Sequence, residues 1–122
     1  MITKSVVECR EGWASLYEPI IEKIIEHDSK IENVNNKIGV AQVKEKFGIM
    51  CINVVNVHNC TSEITEMINN AMRESGKICE YCGTRHNVGS TRNNWYKTCC
   101  KSCWEKYIKT YNDKSIWKEI LY

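Results

Sequence analysis

Long apolar runs are missing from this chain of 122 residues. No stretch approaches the roughly 18 residues that a helix needs to cross a bilayer, so no membrane partner is expected. The opening residues, MITKSVVECREG, hold no apolar segment of the signal-peptide kind. A cytoplasmic location is therefore expected, and with it reduced cysteines rather than stable disulfides. Proline occurs once, and no low-complexity tract or internal repeat is present. With 43% hydrophobic and 26% charged residues, the composition is that of a folded chain, not a disordered one. The signatures GxxxxGKS/T, GxSxG and HExxH do not occur, which removes the sequence marks of a P-loop NTPase, an α/β-hydrolase and a zincin. The three histidines, His27, His58 and His86, fall in separate stretches and read as helix-end or loop residues. No catalytic activity and no small-molecule substrate are expected.

Cysteine, by contrast, is plentiful: eight in all, five of them in the thirty residues Ile78–Tyr107. Cys79-x2-Cys82 and Cys100-x2-Cys103 are separated by seventeen residues, a match to the four-cysteine zinc pattern. Two intervening residues let a tight turn aim both sulfurs at one point, and Gly83 supplies the permissive backbone of such a knuckle. Four thiolates make a closed tetrahedral site with no position left for water, so one structural Zn²⁺ is expected. Cys99 offers an alternative, as Cys99-x3-Cys103, but the x2 spacing favours Cys100. His86, four positions after Cys82, is a second alternative ligand and reads more simply as a hairpin-tip residue. Of the isolated cysteines, Cys51 reads as a small core residue; Cys9 and Cys60 have no assigned role.

Periodicity places the rest. Glu11–Asp28 is expected to be helical, with Trp13, Leu16, Tyr17, Ile20, Ile21, Ile24 and Ile25 on one stripe. Pro19 interrupts it, so the helix either starts near Glu18 or kinks there. Ile38–Val57, rich in Val and Ile, is split by Lys46-Phe47-Gly48 and reads as a β-hairpin whose second run is the more central strand. Thr61–Gly76 is expected to be a second helix, capped by Thr61 or Ser62 and stopped by Gly76. Gly83–Thr98 has the length of a hairpin, and Cys100–Tyr111 and Asp113–Tyr122 read as helices. The expected class is α+β. Residues 1–76 form a helix–hairpin–helix body, and residues 77–122 form a treble-clef-like zinc finger with C-terminal helices, packed on that body as one compact unit.

Charge is uneven. Residues 1–76 carry 8 Lys/Arg against 11 Asp/Glu, and residues 77–122 carry 9 against 4. Four bound thiolates with Zn²⁺ add about −2 to the basic half, which weakens a purely electrostatic nucleic-acid reading. Arg85, Arg92, Lys97, Lys101 and Trp95 are the candidates for partner contact, since aromatic residues and arginine anchor interfaces. Arg85, His86, Arg92, Asn93, Asn94 and Lys97 also suit direct nucleic-acid binding. An HNH-type nuclease is the least favoured reading: its helix would need a histidine base where this one carries Cys100 and Cys103.

Four segments together resemble a family of small proteins encoded in phage and prophage genomes: Gly12-Trp13 with Leu16–Ile24, Gln42–Gly48, Arg73–Gly76 running into Cys79–Gly83, and Trp95–Cys103. They span roughly residues 11–105 in order. After Lys46-Phe47-Gly48 the family often continues with glycine and aromatic residues, where this chain has Ile49-Met50-Cys51-Ile52. The resemblance implies phage origin and zinc ligation by Cys79, Cys82, Cys100 and Cys103. By analogy with small phage proteins, the expected action is binding of a host protein or protein–nucleic-acid complex, as an anti-CRISPR-like inhibitor of bacterial defence would.

Overall fold

The structure, a computed structural model, describes residues 6–92, 96–112 and 114–120. A short 3-10 turn, Glu11–Trp13, leads into helix α1, Ala14–Ser29. The helix runs through Pro19, which removes the amide that would bond to the Ser15 carbonyl one turn earlier. Tyr17, Ile20, Ile21 and Ile24 face the core, the spacing of one helical face. Helix α2, Ser62–Ser75, is capped by Thr61, whose Oγ1 accepts from Ile64 N at 3.2 Å, and Gly76 closes it.

Between the helices lie β1, Val40–Lys46, and β2, Ile49–Val54, paired antiparallel. Asp28, near the end of α1, accepts from Ile38 N at 2.8 Å and Gly39 N at 2.9 Å and so directs the chain into β1. The turn is two residues, Phe47 and Gly48, both left-handed (φ +53° and +81°), the geometry that matches strand twist. In this sheet β1 is the more central strand, because Val7 bridges to Val43 on its other side. The outer edge of β2 is met by α2, where Ser75 Oγ accepts from Met50 N at 2.9 Å. Trp13, Ile24, Ile38, Val43, Met50 and Ile64 are at most 1% exposed and centre this core. Each such aliphatic burial contributes about 1.5–3 kcal/mol.

The cysteine-rich part builds a second sheet and a second core. Strands β3 (Val88–Arg92) and β4 (Thr98–Cys100) form the expected hairpin, followed by helix α3, Lys101–Cys103, which continues as a π-helical turn, Trp104–Ile108. The last segment departs from expectation. Ile116–Glu119 is strand β5, antiparallel to β3, not a helix. The edge of β3 was open, and Gly89 leaves room for the Trp117 ring: a Cβ there would lie 2.5 Å from Trp117 Cε2. Trp117 Nε1 then donates to the Cys99 carbonyl at 2.9 Å. The tail thus packs on the finger core of Val88, Cys99, Trp104 and Ile108, not on the helical body.

The two cores meet through backbone. Gly12 N donates to Glu80 O at 2.7 Å, and Trp13 Nε1 donates to Ile78 O at 2.9 Å. A Cβ on Gly12 would stand 2.2 Å from the Cys79 carbonyl oxygen, so only glycine permits this approach. Lys97 bridges the same junction, with Nζ 3.0 Å from Glu45 of β1 and 3.0 Å from Glu80, which is 1% exposed. Burial works against the Lys97 charge, but the Glu80 carboxylate and then the hydrogen bond to Glu45 hold its pKa above the ordinary lysine value.

Gly12→Ala is expected to lower stability by several kcal/mol, because backbone atoms cannot yield to the new methyl. Gly76→Ala, whose Cβ would press on the flexible tip of Ile49 at 3.1 Å and meet the Arg73 carbonyl at an ordinary 3.6 Å, should change it by about 1 kcal/mol or less. Urea denaturation of the two variants checks this; equal effects would contradict the packing described.

Candidate metal centre

Each half of the centre is set by local chain geometry. In Cys79-Glu80-Tyr81-Cys82, Gly83 N donates to the Cys79 carbonyl and Cys79 N donates to the Thr84 carbonyl, both at 2.9 Å. This loop closes because Gly83 sits at φ +81°, with its Cα face against the Gly12 carbonyl. In the other half, Cys100 ends β4 and caps α3 with its own sulfur, which accepts from Cys103 N at 3.4 Å. One turn of helix then carries Cys103 back to the same side.

Four sulfurs converge as a result. The Sγ atoms of Cys79, Cys82, Cys100 and Cys103 all lie within 4.8 Å of one another. Cys82 and Cys100 are 3.8 Å apart. A tetrahedral site with metal–sulfur bonds of about 2.3 Å places neighbouring sulfurs about 3.8 Å apart. Cys79, Cys100 and Cys103 are buried, while Cys82 is exposed at the rim. This donor set can hold a metal ion and is consistent with zinc. Burial, then the hydrogen bond to Cys100 and the neighbouring Cys79, push the Cys103 thiol far above its ordinary pKa. A bound cation reverses that preference, since it favours the thiolate.

The alternatives raised by the sequence resolve on geometry. Adjacent residues of a strand point to opposite faces, so Cys99 and Cys100 cannot both reach one ion. Cys100 joins the group; Cys99 lies fully buried in the finger core, its thiol pushed up to about 12 by burial and then by Cys79. His86 is exposed and stands outside the group. Cys51 is half-buried beside β1, not a core residue proper, and Cys9 is half-buried with its thiol raised to about 11 by burial and the Glu80 charge.

The candidate contact residues do not form one patch. Arg85 is exposed but turns onto α2, where its Nη2 pairs with Glu74 at 3.1 Å. Lys101 is exposed near it, its amide bonded to the Asn87 carbonyl. Arg92 is exposed at the far end of β3, roughly 13 Å away along the strand. Lys97 is 9% exposed and clamped between two carboxylates, which removes it from the contact set and makes it a structural cation. Trp95 lies outside the described residues. The role of Glu80 escaped the sequence reading: nothing in a Cys-x2-Cys loop marks one of its middle residues as the buried partner of a distant lysine.

Comparisons with protein-family models, with curated proteins and with solved structures find no match to this chain.

Cys79→Ser, Cys82→Ser, Cys100→Ser and Cys103→Ser are each expected to cut bound metal well below one ion per chain. Cys99→Ser and His86→Ala should retain it. Elemental analysis of the purified variants decides, and an emptied Cys99→Ser would reverse the assignment. Acid should also release the metal. In the site without metal, burial raises the Cys103 pKa, so that thiol keeps its proton at neutral pH. Metal binding expels bound thiol protons, so affinity rises with pH and falls on acidification. Dialysis against chelator at stepped pH, read by a chromogenic metal indicator, checks the direction.

Proposed function

We propose that the four cysteines hold one zinc ion in a structural, treble-clef-like site, and that the protein acts without catalysis by binding a host protein in the bacterial cytoplasm. The observation that carries this reading is the donor set itself. Four sulfurs saturate a tetrahedral zinc and leave no open position for water or substrate, which is the mark of a structural site. The order of knuckle, hairpin and short helix supports the treble-clef comparison. Phage origin, and the narrower reading of an anti-CRISPR-like inhibitor of a defence complex, rest on the sequence resemblance described above. Binding of a protein–nucleic-acid complex belongs to the same reading where the contact is made to its protein component.

Direct nucleic-acid binding is the second reading. It is favoured by exposed Arg92, Lys101, Lys106, Lys109 and Lys118 on the finger. Two of these cations already lie over rings, Lys106 over Tyr107 at 5.1 Å and Lys109 over Trp104 at 5.3 Å. Two other cations are committed to carboxylates, Lys97 and Arg85, which thins the phosphate-binding set.

Affinity capture from a bacterial lysate, with and without nuclease treatment, separates the two. A protein partner retained after nuclease, and across rising salt, is the expected result. Loss of all capture on nuclease treatment, or a steep fall in binding to random DNA with salt, would favour the second reading and overturn the first.

A further inference from the structure

The turn Phe47-Gly48 carries a side chain that the fold does not ask for. Phe47 sits at φ +53°, a left-handed conformation rarely taken by a bulky residue and readily taken by glycine or asparagine. Its ring is 73% exposed, so burial does not explain it either. The ring meets Tyr96, itself 43% exposed, edge-on, with centroids 6.4 Å apart and planes at 67°. One ring stands on the hairpin of the helical body, the other on the loop between β3 and β4.

The seat beneath the pair is fixed. Gly48 N donates to Glu45 Oε2 at 2.9 Å, and Gly48 O accepts from Thr98 Oγ1 at 2.6 Å. Glu45 is in turn held by Lys97 at 3.0 Å, the residue after Tyr96. Thr98 opens β4 and Cys100 ends it, so the strand that bonds to the Gly48 turn also carries one sulfur of the candidate metal centre. An anchor ordered in advance loses little entropy on binding.

Charge around the tip selects its occupant. Lys46, just before Phe47, and Arg92, at the start of the loop bearing Tyr96, are both exposed. Glu45, two residues before Phe47, faces inward to Lys97 and the Gly48 amide. Among the described residues the tip is therefore an apolar projection bordered by the cations Lys46 and Arg92. Two rings packed edge-on at 67° block each other's faces in part, whereas stacking successive bases needs free ring faces along a charged groove. The geometry points to Phe47 and Tyr96 as a preformed anchor that enters an apolar pocket with an acidic rim on a partner protein. This rests on the binding-protein reading above and names the surface that does the binding.

The test uses the full chain, metal-loaded as isolated, against a clarified bacterial lysate treated with nuclease. Phe47→Gly should lower the captured partner about tenfold or more. Its melting temperature should stay level or rise, because glycine accepts the positive φ that phenylalanine resists. With the photo-crosslinker benzoylphenylalanine in place of Phe47, illumination should join the same partner within an apolar segment flanked by Asp or Glu. The same crosslinker in place of Val57, an exposed residue elsewhere (73%), should not. Undiminished capture by Phe47→Gly would overturn the anchor and leave the binding-protein reading standing. A melting temperature lowered along with capture would give Phe47 a structural role and also overturn it. So would crosslinks from position 47 that reach only nucleic acid or a second copy of this chain. Absence of any captured protein with the unaltered chain would end both readings together.

Discussion

Four sulfur atoms drawn within 4.8 Å of one another set the terms for the C-terminal part of this protein. As thiolates they would repel; as thiols, three of them are buried with weak hydrogen-bonding capacity. A divalent cation turns the same cluster from a liability into a cross-link. The segment that depends on it has little else. Its core is small, its hairpin has one strand of three residues, and its helix makes a single turn before becoming π-helical. Such a piece of chain lacks the buried apolar area to hold itself together without a staple.

The cluster does not act alone. The knuckle that presents Cys79 and Cys82 is held to the helical body by the Gly12 amide, the Trp13 indole and the buried Glu80 carboxylate. The strand that presents Cys100 is held to the body hairpin by Thr98 and Lys97. Each arm of the centre is thus tied to the first core independently. A buried ion pair of this kind contributes modest net stability but strongly disfavours other arrangements, since displacing Lys97 would leave Glu80 charged and enclosed. The junction specifies one way of joining the two cores, and it places the body hairpin turn beside the finger loop.

Much of this was legible in the sequence, and for a common reason: the signal was local. Cysteine spacing picked out the four cysteines that cluster, because the x2 turn acts within four residues. Helical periodicity found α1 and α2, and Thr61 marked a true N-cap. What stayed hidden was long-range. Ile116, Trp117 and Ile120 repeat at helical spacing, yet the open edge of β3 and the gap at Gly89 turned them into a strand. Lys97 read as a surface cation because its two acids lie far away in sequence, at Glu45 and Glu80. Cys99 and Cys100 were separable only once the strand was known, because its pleat sends them to opposite faces.

The most direct measurement is X-ray absorption at the zinc edge of the purified, unaltered protein, together with its metal stoichiometry. The expected result is one zinc per chain, surrounded by four sulfur scatterers at about 2.3 Å with no nitrogen or oxygen neighbour. A first shell containing nitrogen or oxygen, or a folded protein without stoichiometric metal, would contradict it.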